Sequence, residues 1–141
     1  MFGPSKVQEN TAAFFNGLLE RRFSDAEKAL SSIELGLVLY KIHLDSTSRG
    51  KASKRMETNE DYITGYIKAL EGMLTAVRLG NDRTLINRPA PDAETLERYR
   101  RYFNAFIRNE LIHPPFDRGF FSGWLDFIVH QQKLLEKKNT G

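Results

Sequence analysis

Along this chain the hydrophobic positions recur at helical spacing in five stretches, and each stretch predicts an amphipathic helix. Val7, Ala12, Phe14, Phe15, Leu18 and Leu19 mark the first, which Ser5 and Gln8 open as a capping box and which runs to about Arg22. Phe23 then stands in staple position before a second capping box, Ser24 and Glu27. The run behind it buries Ala26, Leu30, Ile33, Leu37, Tyr40 and Leu44. Within that run Leu35 to Leu44 is apolar enough to resemble a strand, but the cap and the length of the pattern favour helix. Tyr62, Ile63, Tyr66, Ile67, Leu70, Met73, Leu74 and Val77 define a third helix that Gly80 stops. The two tyrosines share the spacing of the aliphatic residues beside them, which makes them core rather than a stacking platform.

Helix four is predicted from about Asp92 to Ile112, started by Pro89 and Pro91, with Leu96, Tyr99, Phe103, Phe106 and Ile107 as its buried stripe. Glu97, Arg101, Asn104 and Arg108 share another face of it. Phe116 to Gly123 mixes aromatics with two glycines and reads as a turn and a loosely started helix. Trp124, Leu125, Ile128, Val129, Leu134 and Leu135 then carry a fifth helix to about Lys137. Between helices two and three, residues 45–58 have almost no apolar anchor, which predicts a mobile loop. The fold class is therefore all-α, one helical bundle of about five helices spanning residues 1–141.

Composition adds little to this picture but removes several chemistries. Hydrophobic residues are 40% and charged residues 28% of the chain, ordinary values for a globular domain. The 21 Lys and Arg exceed the 18 Asp and Glu by only +3, a balance that permits an anionic partner without demanding one. Cysteine is absent, which eliminates disulfides, thiolate metal sites and thiol nucleophiles. No signal-peptide run and no membrane-length apolar stretch is found, so a cytoplasmic protein without membrane partners is expected. The three histidines form no i, i+4 pair, and Gly119 and Gly123 lack the strand and lysine of a phosphate loop, so neither a metal nor a cofactor is expected. His43 and His130 each sit alone in a helical pattern as surface or core residues.

The stretch that carries candidate chemistry is Arg108-Asn109-Glu110-Leu111-Ile112-His113-Pro114-Pro115. Pro114 disfavours helical geometry at His113, so His113 is expected in the last turn of helix four. On an ideal helix the five-residue step leaves the Arg108 and His113 side chains roughly 140° apart, a gap that a long arginine and an unwinding turn can close. A purely structural role would pair Arg108 with Glu110 or Glu97 and use His113 to cap carbonyls at the negative helix end.

This Arg-Asn-x3-His pattern, at the end of the penultimate helix of an all-helical chain, resembles the signature of the HEPN superfamily. Its members are compact α-helical domains, many of them metal-independent ribonucleases acting in toxin–antitoxin pairs, antiviral defence or RNA processing. The resemblance implies that Arg108, Asn109 and His113 are the active-site trio. It also implies a composite site at a homodimer interface and, for toxin members, an antitoxin or regulatory protein as partner. HEPN toxins paired with nucleotidyltransferase antitoxins often carry a tyrosine shortly after the histidine. Pro114, Pro115 and Phe116 occupy that place here, so regulation through that tyrosine is not expected.

The residues fit the implied reaction. Attack of a ribose 2′-OH on the adjacent phosphate needs a base, an acid for the leaving oxygen and a cation for the charge on phosphorus. Histidine can move the protons near neutral pH, and a guanidinium is shaped for phosphoryl oxygens. Asn109 would orient substrate or neighbours. One imidazole cannot serve both ends of an in-line displacement, and a second His113 across a twofold axis would solve this. Arg101 and Asn104 on helix four and the loop cations Arg49, Lys51, Lys54 and Arg55 are the candidate RNA-phosphate contacts. The alternative is a non-catalytic helical protein–protein interaction module docking through Trp124, Phe120 and Phe121.

Overall fold

A computed structural model describes residues 5–47, 60–80 and 91–140. It contains helices α1 (Ser5–Leu19), α2 (Phe23–Thr47), α3 (Glu60–Leu79), α4 (Ala93–Arg108) and α5 (Pro115–Thr140), with no strand among the described residues. The all-α bundle expected from the hydrophobic spacing is the observed architecture. Arg49, Lys51, Lys54, Arg55 and Pro89 lie outside the described residues, as do the side chains of Ser5, Val7, Gln8, Tyr40, His43 and Leu44.

The chain is two helical hairpins with α3 between them in sequence. α1 and α2 are joined by Glu20, Arg21 and Arg22, too short a link for anything but antiparallel packing. Arg22 N–H bonds the Gly17 carbonyl at 2.8 Å and Arg21 N–H the Leu18 carbonyl at 3.2 Å, the paired bonds of a Schellman motif. Arg21 sits at its left-handed position, φ 58°, where glycine is usual. α2 starts at Phe23, one residue before Ser24, with the Arg22 carbonyl accepting from Ala26 N–H. Its apolar stretch is helical throughout the described part: Ile33 and Leu37 are fully buried, while Leu35, Val38 and Leu39 face outward.

α3 follows its predicted face closely, with Tyr62, Ile63, Tyr66, Leu70, Met73, Leu74 and Val77 all buried. Gly80 ends it at φ 68°, donating to the carbonyls of Ala76 and Val77.

The largest departure from expectation is the start of α5. Phe116 to Gly123 is not a turn: α5 begins at Pro115, a favourable first helical position because its missing N–H would have no partner there anyway. The glycines serve the α3–α5 crossing. A Cβ on Gly119 would collide with the Tyr62 carbonyl, one on Gly65 with the Phe116 carbonyl, and one on Gly123 would lie 2.8 Å from Ala69 Cβ. Backbone therefore meets backbone. Around this contact the Tyr62 hydroxyl hydrogen-bonds Ser122, and the Tyr66 hydroxyl donates to Asp126 at 2.6 Å. Burial raises the pKa of Tyr66 well above its ordinary value and raises that of Asp126, against the opposing pull of the Tyr66 hydrogen bond and Lys133.

The core where the hairpins meet α3 is built on Phe14, Phe15, Leu18, Ile33, Leu37, Tyr66, Leu70, Met73, Leu96, Phe127 and Ile128. Phe127, fully buried and edge-on to Phe15 at 5.5 Å, is the α5 core residue that the spacing argument passed over.

Candidate functional site

Asp92 caps α4, its carboxylate accepting from Thr95 N–H at 2.8 Å, and these Thr95 contacts hold its pKa below the ordinary value. At the other end the helix stops at Arg108, four residues before the expected Ile112. Asn109 leaves the helical region at φ −88°, ψ 76°, and its N–H turns back to the Phe106 carbonyl at 3.2 Å. Pro114 and Pro115 disfavour helical geometry at the residues before them and offer no N–H to continue the ladder, and the helix ends still earlier, at Asn109. His113 is thus not in the last turn of α4. It lies on the six-residue α4–α5 connection, folded back so that its N–H bonds the Asn109 carbonyl at 3.1 Å.

The imidazole of His113 lies flat on Phe106, with ring centroids 3.5 Å apart and planes 12° from parallel. Phe106 in turn packs on Phe121 of α5 at 4.4 Å, and Phe121 on Phe103 at 5.5 Å. An aromatic column inside the α4–α5 hairpin therefore ends in the half-buried imidazole. Arg108 and Asn109 are exposed. Between them and His113 the chain projects Leu111 and Ile112 into solvent, 98% and 70% exposed.

Neither acid that could have neutralised Arg108 does so. Glu110 accepts from Arg118 Nη2 at 3.1 Å, and Glu97 is held by Arg101 at 3.3 Å and by Gln132 at 3.1 Å. Among the described residues the Arg108 guanidinium has no hydrogen-bond or ion-pair partner.

Arg118 is the site residue that sequence reasoning missed. It is 5% exposed, and its Nε donates to the Ile107 carbonyl at 2.7 Å while Nη2 reaches Glu110. A cation in the first turns of α5 faces the positive end of that helix, an unfavourable place. It is well placed at the negative end of α4, where it satisfies a carbonyl that has lost its helical donor. That mismatch with its own helix was the available signal.

We compared the chain with protein-family models, curated proteins and solved structures, and none of them matches it.

The other predicted residues fare unequally. Arg101 is exposed but tied to Glu97, whose carboxyl the Gln132 and Arg101 hydrogen bonds hold below its ordinary pKa. Asn104 is half-buried on α4. His130 is half-buried and hydrogen-bonded to Asn16 at 2.9 Å across the α1–α5 contact, with its pKa lowered by burial, Lys133 and Lys137. Trp124 and Phe121 are partly buried and pack against the core, and Phe120 is partly buried beside them. No group of three or more His, Asp or Glu positioned to share a metal occurs among the described residues, and no described helix is long and apolar enough to cross a membrane. A concavity of about 220 Å³ between α2 and α3, lined by Val38, Ile63 and Ile67 under Glu34, Lys68 and Glu71, draws nothing from α4 or its turn.

Chemically, the end of α4 and the turn after it offer a guanidinium with no partner among the described residues, a carboxamide and an imidazole stacked on an aromatic ring. That set can bind a phosphodiester and move a proton.

Proposed function

We propose that the chain is a metal-independent endoribonuclease of HEPN type, cleaving RNA by attack of the 2′-OH on the neighbouring phosphate. In this reading Arg108 steadies charge on phosphorus, His113 transfers protons, and Asn109 orients substrate or its neighbours. The observation that carries it is the pairing on one short turn of an exposed Arg108, with both nearby acids engaged elsewhere, and a His113 held flat on Phe106.

A single turn supplies one imidazole, while in-line displacement asks for a base and an acid on opposite sides of phosphorus. A homodimer provides the second. Leu111 and Ile112 support this part of the reading, because covering such an apolar tip with its twin would bring two Arg108–His113 turns together. Arg101, Asn104 and the cations Arg49, Lys51, Lys54 and Arg55 would extend contact along the RNA backbone, and an antitoxin or other regulatory protein would restrain the activity in the cell.

The test is cleavage of a defined RNA and the matching DNA in excess chelator. RNA alone should be cut, leaving a cyclic phosphate, and Arg108→Ala and His113→Ala should each reduce the rate by at least about a hundredfold in a folded bundle. Cutting at the wild-type rate by both variants would remove these roles. Leu111→Asp should convert a dimer into a monomer in sedimentation and abolish cutting with it. A monomeric wild type that cuts would overturn the composite site.

A further inference from the structure

We infer that Arg118 is a positioning residue for the α4–α5 turn, a buried latch that sets where Arg108 and His113 stand; its catalytic consequence rests on the function proposed above.

The two hydrogen bonds of the Arg118 guanidinium land on either side of Arg108-Asn109. One goes to the Ile107 carbonyl, the residue before Arg108, at 2.7 Å. The other goes to the Glu110 carboxylate, between Asn109 and His113, at 3.1 Å. The guanidinium thus straddles Arg108-Asn109 and ties both flanks to α5. Its own helix start is secured separately, by Arg118 N–H on the Pro114 carbonyl at 3.1 Å.

A buried arginine is costly unless its donors are used, and an apolar residue of similar length would fill the same space without that cost. The planar fork does what an apolar residue cannot: it ties the last turn of α4 and one residue of the connection to α5. Few other constraints act there. Glu110, Leu111 and Ile112 are exposed, and the backbone bonds of the connection are all short-range: Asn109 N–H to Phe106, Glu110 N–H to Arg108, and Ile112 and His113 N–H to Asn109. The stack on Phe106 holds the imidazole plane, but a flat stack permits sliding across the ring. The Arg118 contacts set the turn's position along α5, and Gly119, the next residue, is the one locked against α3. The latch is therefore anchored to the least adjustable part of the bundle.

Three variants test this. Arg118→Met keeps a long unbranched stem and removes every donor, Arg118→Lys keeps the charge but loses the fork, and Glu110→Ala cuts only the outer bond at an exposed position. Amide hydrogen exchange is measured in all three beside the wild type, together with kcat and KM for RNA cleavage. In Arg118→Met the amides of residues 109–113 should exchange at least about tenfold faster while those of α1 and α2 stay unchanged. kcat should fall about ten- to a hundredfold with KM nearly constant, since misplacing a reacting group affects the transition state more than binding. Lys should recover part of both effects, and Glu110→Ala should show a weaker form of them.

Unchanged exchange at 109–113 in Arg118→Met overturns the latch. So does faster exchange spread evenly over all helices, which would mark Arg118 as a general stability residue. If Arg118→Met does not fold, the inference stands or falls on Glu110→Ala: loosening confined to 109–113 supports it and none overturns it. Should the wild type fail to cut RNA, the proposed function fails alone, and the exchange result still decides the latch.

Discussion

The two helical hairpins of this bundle are closed in opposite ways. The α1–α2 turn is three residues long and is finished by main-chain bonds, with Arg21 forced into a left-handed conformation to complete them. The α4–α5 turn is six residues long, makes only local main-chain bonds that reach back no further than Phe106, and is also held from outside by the buried Arg118 and by Phe106 beneath His113. Both turns present arginines at helix ends. Arg21 reaches the Val77 carbonyl of α3 at 3.5 Å, while Arg118 reaches Ile107 at 2.7 Å from a buried position. The first turn spends its residues on closing the chain. The second turns Leu111 and Ile112 outward and takes part of its support from α5 through Arg118.

The largest effect should come from breaking the support of the second hairpin. Gly119→Val places side-chain atoms into the Tyr62 carbonyl, with no rotamer able to avoid them. The loss should exceed about 4 kcal/mol, seen as disappearance of a cooperative melting transition. Gly72→Ala is the control, because a Cβ there meets nothing within 4 Å. It should raise stability by about 0.5–1 kcal/mol.

A sharper comparison exchanges one residue for glycine in each turn. Arg21→Gly relieves a left-handed residue and should stabilise the fold by about 1 kcal/mol in chemical denaturation, less whatever its weak contact to Val77 contributes. Asn109→Gly, at φ −88°, has no such strain to relieve and should destabilise by about 0.5–1 kcal/mol through chain entropy alone. Equal signs for the two would remove the distinction between the turns.

The smallest effect lies at the seam between hairpins, where His130 meets Asn16. Because burial and the two lysines lower its pKa in the folded state, the neutral form is the one the fold prefers. Its stabilisation is complete above the ordinary histidine value of about 6.5 and is lost as pH falls through the lower folded value. Asp126, raised by burial, acts with the opposite slope, contributing at low pH and losing that contribution as pH rises through its folded value. Urea midpoints measured downward from pH 7 should therefore fall more for wild type than for His130→Gln, and identical profiles would show that His130 is not linked to folding.

Much of the bundle was legible because its helices obey local rules. α3 could be read from its spacing and its glycine stop, and the start of α4 was placed within one residue, at Asp92, which proves to be its cap. The start of α5 was illegible for a physical reason: Gly119 and Gly123 are poor helix formers, and what makes them fit lies on α3 at Tyr62, Gly65 and Ala69. The candidate site divides similarly. Arg108 and His113 could be singled out in the sequence as candidates, but the early helix end that puts His113 on the connection, and the neighbours of both, could not. The partners of Glu110 and Glu97 turn out to be Arg118 and Arg101, and burial of an arginine is too uncommon to expect from sequence.

The glycine crossing has a mechanical consequence. Side chains in a packed interface can absorb a small shift by changing rotamer, but main-chain atoms in contact have no such slack. A push on α3 near Tyr62 or Gly65 would pass undamped into the first turns of α5, and from there through one guanidinium to the tip that bears Leu111 and Ile112. One backbone contact and one buried guanidinium thus connect α3 to the tip, whose Leu111 is the most exposed large apolar side chain among the described residues.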